Sequence, residues 1–267
     1  MLNILKRRRR ATRTRTSLRE EKRMHIKTSG VVLKEQSINE NDKLVTLLTL
    51  TNGVVRAFAR GAKSPKNRKN AGTQLFCYCD FDLYFGNNVY CVEEAVPKKT
   101  FFDLRNDIKA LALAQYFCEL MQELAPREEN SEEYLKLILN SNYLLMTGKK
   151  EPGLLKPIFE LRLLSLSGYM PSVVSCAKCG EYETPTMFFD TSKGELFCEK
   201  CNSNQYFALV SISTVAAMRH TVFSDDKKIY SFNLSGKALL DFEEVTERYL
   251  LSVTMRNYKT LDFYKMV

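Results

Sequence analysis

Residues 75–85 read Leu75-Phe76-Cys77-Tyr78-Cys79-Asp80-Phe81-Asp82-Leu83-Tyr84-Phe85. In an extended chain Leu75, Cys77, Cys79, Phe81, Leu83 and Phe85 share one side, and Phe76, Tyr78, Asp80, Asp82 and Tyr84 the other. A period of two marks a half-buried β-strand. Residues 26–33 and 43–50 have the same extended character, and Thr51-Asn52-Gly53 reads as a hairpin turn in which Asn-Gly supplies the positive φ values. Residues 54–60 follow as a strand, residues 61–73 as a loop rich in Lys, Asn, Gly and Pro. Gly86-Asn87-Asn88 then turns the chain into a last strand over residues 89–96. Five strands in about 70 residues, with no crossover helix, predict a small closed barrel over residues 24–97.

After Pro97 the pattern turns helical. Residues 103–124 place Leu104, Ile108, Leu111, Cys118 and Met121 on one face, with Leu113, Phe117, Leu120 and Leu124 beside it. So wide an apolar arc predicts a helix buried on two sides. Ser131, followed by Glu132 and Glu133, is placed to cap a second helix. Residues 154–167 predict a third, ended by Gly168 and Pro171, and helices resume at about 211–220 and 236–252. The expected class is α+β and multidomain: a barrel, then a helical domain over residues 98–267.

The chain has 267 residues, 45% apolar and 27% charged, an ordinary globular composition that argues against wholesale disorder. No run of 18 apolar residues is present, so no transmembrane helix is expected. The only histidines, His25 and His220, are too few for a three-histidine zinc site, and H-E-x-x-H is absent. The net charge of +9 is concentrated in the first 23 residues, which hold ten of the 40 Lys/Arg and two of the 31 Asp/Glu. Residues 24–267 carry a net of only +1. Residues 1–23 therefore read as a disordered basic extension. Met24 is the favoured functional start, with a phosphate-binding arm or an organellar presequence as alternatives.

The spacing Cys176-x-x-Cys179, then Cys198-x-x-Cys201, predicts a four-thiolate structural zinc site in a module at about residues 173–207. Residues 187–190 and 195–197 read as short strands joined by a turn, the layout of a zinc ribbon. Four thiolates fill a tetrahedral shell, leaving no position for an activated water, so one structural Zn2+ is expected rather than a catalytic one. Cys77, Cys79, Cys91 and Cys118 lie in apolar runs, which with the paired C-x-x-C spacing suits a reducing, cytoplasmic setting.

Within the near-neutral body, positive charge gathers at Arg56, Arg60, Lys63, Lys66, Arg68 and Lys69, and no acid occurs between Gly53 and Cys79. On the strand, Arg56, Phe58 and Arg60 share a face opposite Val55, Ala57 and Ala59. A cation–aromatic–cation row suits single-stranded nucleic acid, the guanidinium for phosphate and the ring for a base. The bland alternative is a solvated loop and a Phe58 tucked into the barrel. No G-x-S-x-G, G-x-G-x-x-G or complete Walker A motif occurs, and Ser235-Gly236-Lys237-Ala238 lacks the hydroxyl after Lys. Nothing in the sequence builds an enzyme.

Three runs resemble the bacterial RecO family of recombination mediators: Asn39-Glu40-Asn41-Asp42-Lys43-Leu44-Val45-Thr46-Leu47-Leu48-Thr49; Ala59-Arg60-Gly61-Ala62-Lys63-Ser64-Pro65-Lys66; and Phe159-Glu160-Leu161-Arg162-Leu163-Leu164-Ser165-Leu166-Ser167-Gly168-Tyr169-Met170-Pro171, which leads into the first cysteine pair. The likeness covers roughly His25 to Tyr206 and weakens afterwards, although Tyr258-Lys259-Thr260-Leu261 resembles a family Lys-Ser segment with Thr in place of Ser. The resemblance implies an oligonucleotide-binding (OB) barrel, a helical domain and a four-cysteine zinc module. It implies binding of single- and double-stranded DNA, annealing of complementary strands, and action with single-strand-binding protein and a RecR partner in loading a RecA recombinase, in the bacterial cytoplasm at the nucleoid. By position, Arg60, Lys63 and Lys66 fall on its basic motif and the four cysteines on its zinc ligands; Arg56, Phe58, Arg68 and Lys69 are added from local pattern. A zinc-stabilised protein-interaction scaffold and an RNA-binding barrel are the competing readings.

Overall fold

The computed structural model describes residues 24–86 and 88–267; the basic segment read as a disordered extension lies outside the described residues. Strands β1 (Met24–Ser37), β2 (Lys43–Thr49), β3 (Gly53–Ala59), β4 (Cys77–Gly86) and β5 (Val89–Thr100) form a closed barrel in the order β1-β2-β3-β5-β4. Neighbours are antiparallel, except that β3 and β5 meet in a short parallel pairing of Ala57 with Tyr90 and Phe58 with Cys91. Cys77, Cys79, Phe81 and Leu83 point inward, as the alternation predicts, and pack with Val32, Val45, Leu47, Val55, Ala57, Ala59 and Val92.

The barrel is apolar on part of its outside as well. Val31, Leu33, Leu48, Val54 and Phe76 face away from the barrel interior and belong to the core that runs into the helical domain. This explains the unbroken runs Val31-Val32-Leu33 and Leu47-Leu48: a sheet covered on both faces loses its alternation.

Several local expectations are corrected. Leu75 packs with the helical core rather than inside the barrel, because β4 begins at Cys77 and Phe76 takes a left-handed turn (φ +67°). The barrel reaches Thr100, past the expected boundary at 97; Pro97 pairs with Cys79 beside a register shift at which Lys98 is the residue left without a partner. The 61–73 loop is a series of turns ending in a short helix, α1 (Lys69–Gly72).

The helical domain comprises α2 (Ile108–Leu124), α3 (Glu132–Met146), α4 (Pro152–Leu166), α5 (Ile212–Phe223), α6 (Gly236–Thr254) and α7 (Lys259–Met266). A single 3-10 turn (Phe102–Asn106) precedes α2, whose start is set by Asp107: its carboxylate accepts from the Lys109 and Ala110 amides. The helix is buried on two sides as expected, though Ile108 at its first turn is exposed. Between α4 and α5 lies a three-stranded sheet, β6 (Thr186–Asp190), β7 (Glu195–Cys198) and β8 (Ala208–Ser211), in the order β7-β6-β8. The third strand extends the cysteine module beyond residue 207. Among the described residues no helix is long and apolar enough to cross a membrane.

The segment after α2 fastens the two domains together. The Val54 amide donates to Pro126 O (2.8 Å), the Glu128 amide to Asn52 O (3.0 Å) and the Ser131 amide to Leu50 O (3.0 Å). Ser131 holds the N-cap position of α3 without capping it; its hydroxyl donates to Thr49 O at 2.5 Å. Of the turn residues only Gly53 has positive φ (+59°), so Asn52 does not share that role. A Cβ at Gly53 would also lie 2.1 Å from Pro126 O, a backbone atom with no freedom to move away.

Gly53→Ala therefore combines left-handed strain with a backbone clash, and the expected loss is about 2–4 kcal/mol, read as a lowered urea midpoint. Gly148 has a similar φ (+61°) but nothing within 4 Å of a built Cβ. Gly148→Ala is expected to lose only about 1 kcal/mol, so the difference between the two variants isolates the contact with Pro126.

Candidate nucleic-acid interface and metal centre

On β3 the outward residues Arg56 and Phe58 are exposed, with Arg60 just beyond the strand, while Val55, Ala57 and Ala59 are buried. Phe58 is 37% exposed and does not tuck into the barrel. Across β2 it faces Leu44, while Arg56 faces Thr46. The arrangement is a ring flanked by two guanidinium groups on a rigid sheet, with small alanines beneath it.

The adjoining loop is pinned rather than mobile. Asp42 accepts from the Gly61 amide (2.8 Å) and from Asn39 Nδ2 (2.9 Å), while Asn39 Oδ1 accepts from the Asn41 and Asp42 amides. The Asn39 hydrogen bond, then the Gly61 amide, hold the Asp42 carboxyl below the ordinary range; Arg60 and Lys69 add to this electrostatically. The Lys63 amide donates to Asn41 O and its ammonium to Asn39 O (2.9 Å). Lys69 reaches Val92 O at 3.2 Å, and Asn70 Nδ2 closes back on Ala62 O at 2.8 Å. The 39–42 turn and the basic loop, separate runs in the sequence, are thus one structure. Lys66 and Arg68 remain exposed at its crest.

The four cysteines converge. The sulfurs of Cys176, Cys179, Cys198 and Cys201 all lie within 4.8 Å of one another, a set that can hold a metal ion. Each C-x-x-C is a knuckle. The Gly180 amide returns to Cys176 O (2.9 Å) with φ +76°, and the Cys201 and Asn202 amides return to Cys198 O at 3.0 and 2.9 Å. Burial raises the Cys176 thiol, but the amides of Cys198, Cys179 and Lys178 aimed at its sulfur outweigh it and bring the pKa to about 6. A thiolate already favoured by oriented amides is what a soft divalent ion requires. Arg219, which the sequence did not single out, braces this module from α5: it stacks on Tyr182 (4.0 Å) and donates to Val173 O and Val174 O at 2.8 Å.

Two further cations escaped the sequence reading. Lys34 of β1 and Arg127 of the stitched segment join Arg56 around a hollow of about 580 Å3 between the barrel and α2. Neither lies in a run of positive charge along the chain, so only the covering of β1 by the helical domain reveals them. His25 and His220 stand apart from both sites: His25 lies beside Asp82 (3.3 Å) on the barrel surface, and His220 Nε2 is hydrogen-bonded to Lys228 O.

Residues 24–101 match the family model described as recombination protein O N terminal, and residues 105–262 the model described as recombination protein O C terminal. The second match runs well past Tyr206 and takes in the Tyr258-Lys259-Thr260-Leu261 segment. Among relatives, the chain is 35% identical over 242 residues to a DNA repair protein RecO of Acetivibrio thermocellus, covering 90% of this chain and 96% of the relative. It is 31% identical over 238 residues to that of Symbiobacterium thermophilum (88% and 94% covered), and 28% identical over 246 residues to that of Alkaliphilus metalliredigens (91% and 100% covered). A barrel and a cysteine-bearing helical domain, each matched in turn by one half of the same family, make this chain a member of the RecO family of DNA repair proteins.

Proposed function

We propose that the protein is a non-catalytic recombination mediator of DNA repair in the bacterial cytoplasm, working at the nucleoid. The barrel is used as an OB fold to bind single-stranded and double-stranded DNA. Holding exposed bases on a sequence-indifferent platform favours annealing of complementary strands. With a RecR-type partner it assists loading of a RecA-type recombinase onto DNA covered by single-strand-binding protein. The observation that carries this reading is the outward row Arg56–Phe58–Arg60 beside a basic loop that the Asn39–Asp42 turn pins through Gly61 and Lys63. Stacking on Phe58 and phosphate contacts to the guanidinium groups are both sequence-tolerant, as such a role requires. The competing scaffold reading finds less support in α2, whose apolar face is buried against the barrel and its own domain.

The donor set at Cys176, Cys179, Cys198 and Cys201 fits one structural zinc. Held by these four thiolates, the ion would cross-link the two knuckles and so stabilise the β6–β7–β8 sheet.

Two outcomes test these assignments. Changing Arg60, Lys63 and Lys66 together to Glu should weaken binding of single-stranded DNA and flatten log K against log salt by about two to three units; an unchanged slope overturns the assignment. Protein prepared without chelator should hold about one zinc per chain by atomic emission, and Cys198→Ser should lose the metal and lower the thermal midpoint of the cysteine module. Full folding and DNA binding with no metal in either protein would remove zinc from the account.

A further inference from the structure

The hollow lined by Lys34, Arg56 and Arg127 is one half of a longer groove. A second hollow of about 600 Å3 shares Lys34, Gln122 and Arg127 with it and ends at Arg256, Lys259 and Thr260. Together they follow the seam between the barrel and the helical domain, from β3 to the start of α7.

The pairing of charges along this seam is uneven. Glu35 is taken by Lys43 at 2.7 Å, and Glu119 and Glu123 share Arg256, at 3.7 and 3.1 Å, which offsets one of their two charges. Among the described residues, Lys34, Arg56, Arg127 and Lys259 have no carboxylate within ion-pair distance, and Glu128 is the one acid of the groove without an ion-pair partner. Four unpaired cations around one concavity repel each other, and a polyanion laid along it removes that repulsion. They are strung along the groove instead of converging on a point, which suits a chain of phosphates better than a single anion. Arg56 belongs both to the groove and to the outward face of β3, so the two surfaces are continuous. Arg127 is placed by backbone: its neighbours Pro126 and Glu128 are hydrogen-bonded to Val54 and Asn52. Lys259 and Thr260 give the Tyr258-Lys259-Thr260-Leu261 segment a use; Thr260 is held at the groove by a hydrogen bond to Glu119 at 2.5 Å.

We propose that this interdomain groove binds single-stranded nucleic-acid backbone, with Lys34, Arg56, Arg127 and Lys259 contacting successive stretches of phosphate. The strand then continues from the β3 platform across the domain seam. The inference rests on the DNA-binding reading of β3 and extends its path.

The test is a titration of the full chain with fluorescent oligothymidylates, one short enough to cover β3 alone and one long enough to cross the seam, at several salt concentrations. Lys34 and Arg127 are both exposed, so the double variant Lys34→Ala/Arg127→Ala should fold normally. It is expected to flatten the salt slope for the long oligomer by about one to one and a half units and leave the short one unchanged. Lys259→Ala should show a smaller loss confined to the long oligomer, and Glu128→Gln should tighten long-oligomer binding several-fold. If the double variant binds the long oligomer like the parent while the Arg60/Lys63/Lys66 reversal weakens binding, the groove proposal falls and the β3 reading stands. If neither set of changes alters binding, both fall. Displacement of a groove-placed probe at Gln122→Cys by an acidic peptide but not by oligothymidylate would also overturn the proposal and give the groove to a protein partner.

Discussion

The amide of Val54, at the start of β3, donates to Pro126 O, and the rest of the architecture depends on that bond and its neighbours. At this point the chain has left the barrel, crossed α2 and returned, so the 125–131 segment pairs with the β2–β3 turn as an extra strand would. The barrel is therefore held at the 3-10 turn leading into α2 and again at the far end of that helix. A five-stranded barrel of this size buries a modest core, and the second attachment lets Val31, Leu33, Leu48 and Val54 share the larger one. Gly53 is required twice over, by its φ and by the Pro126 carbonyl that leaves no room for a Cβ. The same attachment aims Arg127 at the side of the barrel that carries Arg56.

On the far side of α2, a buried polar network sets how the helices pack. Lys156 and Glu160 of α4 are almost wholly buried, with Nζ 3.0 Å from Glu160 and 2.9 Å from Glu247 of α6. Tyr116 of α2 and Thr246 of α6 donate hydroxyls to the same Glu160 carboxylate, at 2.8 and 3.1 Å. Burial alone would lower the Lys156 pKa, yet the two carboxylates outweigh it and keep the ammonium charged. Such a pair adds little net stability against an apolar replacement, but loss of one member leaves a charge stranded. These groups converge from α2, α4 and α6, so a rotation of any one of the three helices breaks at least one of these bonds. Glu247 also binds Lys265, which fixes α7 and with it Lys259 at the mouth of the groove.

What the sequence revealed was governed by local rules. The alternation of residues 77–83, the face shared by Arg56, Phe58 and Arg60, and the knuckle spacing of the four cysteines are each dictated by the geometry of one element, and each was legible. Where tertiary contact overrules the local rule, reading along the chain failed. Ser131 has the residue type and position of an N-cap, but Thr49 O takes its hydroxyl. Phe76 breaks from the strand because the helical core receives it. β8 is four residues long and exists as a strand because β6 offers it an edge; α7 is short and polar overall, and its place depends on Glu247 and Glu119. Lys34 and Arg127 carry no motif, since their proximity is made by the fold alone.

Charge shows the same division between composition and arrangement. Residues 24–267 are almost neutral, which argues against a strong polyanion binder if charges are counted and nothing more. They are not evenly mixed. Asp80, Asp82, Glu93 and Glu94 lie on β4 and the part of β5 paired with it, where Lys98 and His25 stand close to Asp80 and Asp82. Among the described residues, and Arg256 apart, the cations of the loop after β3 and of the seam beside it are unpaired or bonded only to backbone carbonyls. A polyanion approaching the β4 flank meets carboxylates, and one approaching β3 meets guanidinium and ammonium groups that lose no ion pair on binding. The separation can steer a strand onto one face at low cost in net charge, which also limits self-repulsion in the folded state. Local pairing, more than the total of +1, decides which face of this molecule attracts a polyanion.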